Sequence, residues 1–236
     1  MVRDSDSCKK KPLYATSIRM SIEKGSILLG SLAISIITGA LLQMPTLHRA
    51  PFQPHDRAFS IWAIIYVAIA TSAVAIMRQD VSWYPVAFLS TSLSLCALWL
   101  VSIRREDNIP SLFLISCATL SAMASVVLLR PNLRNPMDWA IVTGPSLLAG
   151  WLGVAAGLGI NLAYHTQTNA DLSPWVLVPG GLLTTFVGIV SNTPTTGLPL
   201  LWAALFSKRS SVSILVGVLG LTTIVTASIR GVVYES

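Results

Sequence analysis

Apolar residues fall along this chain in long unbroken blocks separated by short polar punctuation. The first block runs from Ser26 to Met44 and stops at Pro45. A proline- and charge-rich loop, PTLHRAPFQPHDR, follows it. Ala58 to Met77 forms the second block and Tyr84 to Ile103 the third; Ile109 to Leu129 is the fourth, and a fifth runs from near Trp139 to about Ile160. Each is close to the roughly 20 residues that a helix needs to cross about 30 Å of hydrocarbon. Because the runs are continuous and not alternating, they predict helices and exclude a barrel.

The last third is less regular. Pro174 to Val190 is marginal in length, and the polar segment SNTPTTG then interrupts the apolar pattern. Thr193 before Pro194 reads as an N-cap with proline at the first helical position, so a new helix is expected over Pro194 to Ser207. Val212 to Ile229 closes the set. The expected fold is an all-α, polytopic transmembrane bundle of about eight spans, or seven with the short piece re-entrant. Its expected divisions are a basic tail at 1–25, a five-helix core at 26–160 and a three-helix extension at 161–236.

Composition agrees with the pattern. Of 236 residues, 53% are hydrophobic and only 11% charged, with a mean hydropathy of +0.68. A soluble domain carries about a quarter of its residues as charges, so that class is excluded, and intrinsic disorder with it. Lys and Arg exceed Asp and Glu by 16 to 10, and half of the excess lies in residues 1–25. A basic patch beside a first span marks a cytoplasm-like face and touches anionic lipid. In an eight-span arrangement the N-terminal side holds ten Lys and Arg against six, so both termini are expected on the cytoplasmic side. With no aromatic or Gly-rich platform beside the basic tail, no nucleic-acid partner is expected.

Chemistry is sparse. No Asp, Glu, Lys or Arg lies within the spans as bounded above. Buried charges mark proton relays, ion paths and gating elements, so their absence argues against a pump or an ion-coupled transporter. Cys8, Cys96 and Cys117 have no CxxC spacing, so neither a disulfide framework nor a metal site is indicated. His48 and His55 share the first loop and could supply an axial or propionate contact to a tetrapyrrole. Phosphate loops, nucleophile elbows and HExxH are absent, and no enzyme is expected.

Tryptophan is abundant, with seven residues. Trp83, Trp139 and Trp175 stand at span beginnings, where indoles belong in the interfacial belt. Trp62, Trp99, Trp151 and Trp202 lie deeper, where a flat ring packs between helices or faces a flat ligand. Phe52-x-Pro54 followed by AFSIWAIIY, with Phe59, Trp62 and Tyr66, resembles the start of the second helix in the TspO/MBR family of tryptophan-rich sensory and translocator proteins. The run GPSLLAGW ending in Asn161, and PLLWA containing Trp202, resemble a longer branch with about three extra spans. In that family the third helix usually carries Asn three residues before a Trp, whereas Cys96 stands in that place before Trp99.

The resemblance implies a non-enzymatic protein that binds a porphyrin, a sterol or another pigment, with a transport or sensory role. Phe52, Pro54, Phe59, Trp62, Tyr66, Trp99, Trp151, Asn161 and Trp202 are the candidate contacts. Rows of small residues, Ser31/Ser35/Gly39 and Ala149/Gly153/Gly157, predict close helix packing. They leave open a homodimer or an accessory subunit of a larger membrane complex. An isoprenoid- or pigment-modifying enzyme is a further alternative, carried only by scattered Ser, Thr, Tyr and His.

Overall fold

The computed structural model describes residues 11–42, 56–105, 107–129, 135–168, 173–207 and 211–233. Eight α-helices lie in these segments: α1 Lys11–Leu42, α2 Ile61–Ile76, α3 Trp83–Arg104, α4 Asn108–Leu129, α5 Pro136–Thr168, α6 Ser173–Val190, α7 Leu198–Leu205 and α8 Ser211–Val233. Short 3-10 turns precede α2 (Asp56–Ser60) and α7 (Pro194–Gly197), and no strand occurs among the described residues. Six helices, all but α6 and α7, are long and apolar enough to cross a membrane. The chain is a multi-pass membrane protein. At 1.5 Å per residue α7 is about 12 Å long, less than half of the hydrocarbon thickness.

Helix ends follow local chemistry. The Tyr84 amide donates to Ser82 Oγ at the start of α3, and the Met137 amide to Asn135 Oδ1 at the start of α5. Arginines close two C-termini from a distance: Arg104 Nη1 donates to Leu42 O of α1 at 2.9 Å, and Arg230 Nη1 to Ile189 O of α6 at 3.2 Å. Each guanidinium donates to a carbonyl of the last helical turn, Ile189 O also accepting from the Asn192 amide, and meets the negative end of a helix dipole.

The first helix begins well before the apolar run. Residues 11–25, expected as part of a basic tail, are helical, and the apolar span reaches back to Thr16. Lys24 is consequently buried in the bundle, its side chain only 4% exposed. Its ammonium meets Asp80 at 3.1 Å, donates to Val81 O and lies 5.6 Å from the Trp83 ring centroid. A charge in the α1 span is tolerated because the α2–α3 connection supplies its partners.

Helix α5 is the hub, with 83% of its apolar window buried against 22–44% for the other five spans. Its contacts with α2 turn on one hydroxyl. Pro145 lies inside α5 and cannot donate to the preceding turn. Beside it, fully buried Ser72 accepts from the Gly144 amide at 3.3 Å and lies 2.9 Å from both Ala140 O and Ala68 O, to either of which it donates. This hydroxyl therefore stitches α2 into the hydrogen-bond ladder of α5. The approach needs glycine: a Cβ on Gly144 would stand 2.7 Å from the backbone N and Cα of Ile69.

Elsewhere hydroxyls repeat the device. Ser92 donates to Ala118 O and Ser125 to Pro85 O, both at 2.8 Å, binding α3 to α4. Thr119 lies within bonding distance of Ile115 O on its own helix and Leu152 O on α5. Other hydroxyls, such as Ser94 and Ser146, bond only to the preceding turn.

Gly144→Ala is expected to lower stability by about 1–3 kcal/mol, because backbone and not a flexible side chain blocks the new methyl. Gly30→Ala, with no atom within 4 Å of the added carbon, is expected to be neutral or slightly stabilising. Thermal unfolding of both variants in one detergent checks the pair; equal losses contradict the packing.

Candidate functional site

Two features of the apolar interior gather unsatisfied polar atoms, an aromatic cluster between α2 and α5 and the polar break between α6 and α7; Ser90 Oγ of α3 is a further, isolated one.

Phe59, Trp62 and Tyr66 lie three and four residues apart, so a helical backbone puts them on one face. That face meets α5. Trp151 is 1% exposed, with the Phe59 ring edge-on at 6.0 Å and the Trp62 ring edge-on at 6.5 Å. Trp62 also leans on Tyr66, at 5.5 Å and 35°. These are favoured offset and edge-to-face geometries for aromatic quadrupoles. Deeper in the bundle the Tyr66 side chain interacts with Ser35 of α1 and Cys96 of α3, so three helices meet at a small polar spot. Cys96 contributes a buried thiol there.

One polar atom of the cluster is left over. Trp151 Nε1–H is buried and has no acceptor. Ser35 Oγ is likewise buried without a partner of good geometry. Leaving a buried donor unsatisfied costs about 1–3 kcal/mol, so such atoms are exceptions in a folded protein.

The other expected contacts are distributed differently. Trp202 of α7 reaches the 3-10 turn before α2, where Nε1 donates to Ala58 O at 2.9 Å while its ring packs at a 41° tilt against Phe206, 4.7 Å between centroids. Its polar edge is thus committed to joining the extension to the core. Trp99 is 8% exposed in α3 and, among the described residues, makes no ring contact with the cluster. Asn161 is fully buried, but it lies ten residues beyond Trp151 on α5, about 15 Å along the axis. Phe52, Pro54, His48 and His55 lie outside the described residues.

Around the break, glycine contacts set the depth. Gly157 of α5 faces Leu177 of α6, Gly153 faces Thr184, and Gly150 faces Thr196 O and Pro199. Helix α6 therefore runs antiparallel to α5, and the break arrives beside the middle of the α5 apolar span, Pro136–Asn161. The chain then turns back: Gly197 packs on Gly220 of α8, and Ala204 near Gly217. Asn192 has φ 52°, a left-handed conformation that Asn tolerates better than most residues. Sequence reasoning recognised SNTPTTG as an interruption but assigned it no contacts; depth is not written in a linear pattern.

A cavity of about 270 Å³ lies at the end of the bundle where α3, α4 and α5 meet the α2–α3 connection. Asp80 and Asp138 line it, together with apolar residues such as Leu128 and Ile141. Among the described residues no group of three or more His, Cys, Asp or Glu is placed to hold a metal ion.

No protein-family model, curated protein or solved structure matches this chain.

Trp202→Phe keeps a ring against Phe206 and removes the donor to Ala58 O. It is expected to cost about 1–3 kcal/mol by leaving that carbonyl unsatisfied. Denaturation of the purified protein measures this; an unchanged midpoint contradicts the role of the bond.

Proposed function

We propose that this membrane protein is a non-enzymatic, TspO/MBR-like binder of a flat hydrophobic ligand (a porphyrin, a sterol or another pigment) held at the cluster of Phe59, Trp62, Tyr66 and Trp151. Carriage of that ligand through the membrane, or sensing of its presence, is the role in keeping with such a site. One observation carries the reading: the indole N–H of Trp151 is buried among aromatic rings with no acceptor. A ligand carbonyl, hydroxyl or carboxylate would supply the missing acceptor, and apolar rings around it suit a flat apolar body. Tyr66 and Ser35 add hydroxyls at the deeper end.

Ligand and protein then divide the work. Apolar area on the ligand supplies affinity, and the single donor fixes its orientation. The edge-on packing of Phe59 and Trp62 against Trp151 means that entry requires these rings to rotate or separate, exchanging aromatic contacts within the protein for contacts with the ligand.

Trp151→Phe keeps a six-membered ring and deletes the N–H donor together with the pyrrole half of the indole. It is expected to weaken binding of protoporphyrin or cholesterol about tenfold, the equivalent of about 1.4 kcal/mol. Trp62→Ala, which removes a wall, is expected to weaken it further. Titration of the reconstituted full chain, followed by ligand absorption or radiolabel, reads both. Affinities matching the unaltered protein in both variants contradict the proposal.

A further inference from the structure

The second set of unsatisfied polar atoms lies in the break and shares no residue with the aromatic cluster. Ser191 Oγ, Asn192 Oδ1 and Thr195 Oγ1 are all buried and have no partner. Ser191 is 4% exposed as a whole residue. Nearby hydroxyls are treated differently: Thr193 bonds Thr196 at 2.9 Å, and Thr223 bonds both Thr185 and Leu219 O. Three orphans within five residues are therefore a local property of the break and not a general looseness of this region.

Depth makes them significant. Irregular backbone is tolerated within a bilayer only where protein buries it or where it lines a hydrated cavity. The break stands opposite Gly150, mid-way along the apolar span of α5, and α7 is too short to complete a crossing. Broken helices of this kind place polar groups and helix ends where a solute can meet them.

We infer that the segment Ser191–Gly197 is the tip of a re-entrant hairpin and a binding site, near the middle of the membrane, for an uncharged hydroxyl group. Charge and donor inventory select that chemistry. Residues 173–233 contain no Asp, Glu or His, so no countercharge for a cation comes from these helices. Arg230 already occupies the carbonyl end of α6, which opposes a cation further. Asn192 Oδ1 accepts only and repels a carboxylate or phosphate. The hydroxyls of Ser191 and Thr195 both donate and accept. A neutral hydroxyl is the simplest group that donates to the amide oxygen while bonding the two side-chain hydroxyls. It has two sources: water entering from the aqueous phase, or the head of a lipid alcohol entering from the bilayer.

The test uses the full chain in phosphatidylcholine vesicles, with Cys8, Cys96 and Cys117 replaced by Ala and either Ser191→Cys or Thr195→Cys introduced. Each thiol is treated with a small charged methanethiosulfonate and with neutral N-ethylmaleimide, with and without dodecanol in the membrane. Labelling by the charged reagent, unaffected by dodecanol, identifies water as the source. Labelling that dodecanol slows several-fold identifies a lipid alcohol. Failure of both reagents at both positions overturns the inference.

Thr195→Val provides a measurement independent of new thiols. This change removes the hydroxyl at nearly constant shape, so a hydroxyl bonded to a ligand gives a lower melting temperature when lost. An unchanged or higher melting temperature shows a dry, unpaired group and overturns the inference as well.

Discussion

Within a bilayer, water is absent as a partner for backbone amides and carbonyls, and every such group must be satisfied by the protein itself. The contact between Ser72 and α5 shows how this chain meets that constraint. Pro145 removes one donor from the central helix, and a hydroxyl from α2 enters the ladder one residue away. Gly144 permits the approach by lacking a side chain. The pairing of small residue and hydroxyl recurs on α5 where Gly153 lies against the Thr184 hydroxyl, and Gly150 admits the backbone carbonyl of Thr196. Hydrophobicity cannot hold these helices together, because lipid tails are as apolar as leucine; close packing and cross-helix hydrogen bonds do so instead.

Against that background the exceptions carry information. Most hydroxyls in the spans bond to the preceding turn or to a neighbouring helix. Trp151 Nε1 does not, nor do Ser191, Asn192 and Thr195 of the α6–α7 break or the hydroxyls of Ser35 and Ser90. The first is surrounded by rings and suits a flat apolar body with one acceptor. The second sits in irregular backbone and suits a hydroxyl. Helix α5 brings the two regions close together, since Gly150 touches the break and Trp151, the next residue, faces α2.

Much of the helical layout was legible in the residues. Continuous apolar runs locate the six long helices, and Phe59, Trp62 and Tyr66 share a face by spacing alone. Their meeting with Trp151 was not legible, because the sequence separation of α2 and α5 carries no distance. Lys24 escaped for a different reason. A boundary drawn at the first apolar residue leaves a lysine outside the span, although its partner Asp80 and the Trp83 ring allow the helix to bury it. Ser72 resembled every other serine in an apolar run; only its place beside Pro145 distinguishes it. The break was visible as SNTPTTG, but its depth depends on which glycines of α5 it packs against.

A density map of the full chain extracted with its native lipid, at a resolution that shows ordered water, tests the central claim most directly: the orphaned polar atoms of this interior face bound groups. The account predicts non-protein density within hydrogen-bonding distance of Trp151 Nε1 and further density between Ser191 and Thr195. Continuous side-chain packing at both places, with those atoms bonded to protein partners, would contradict it.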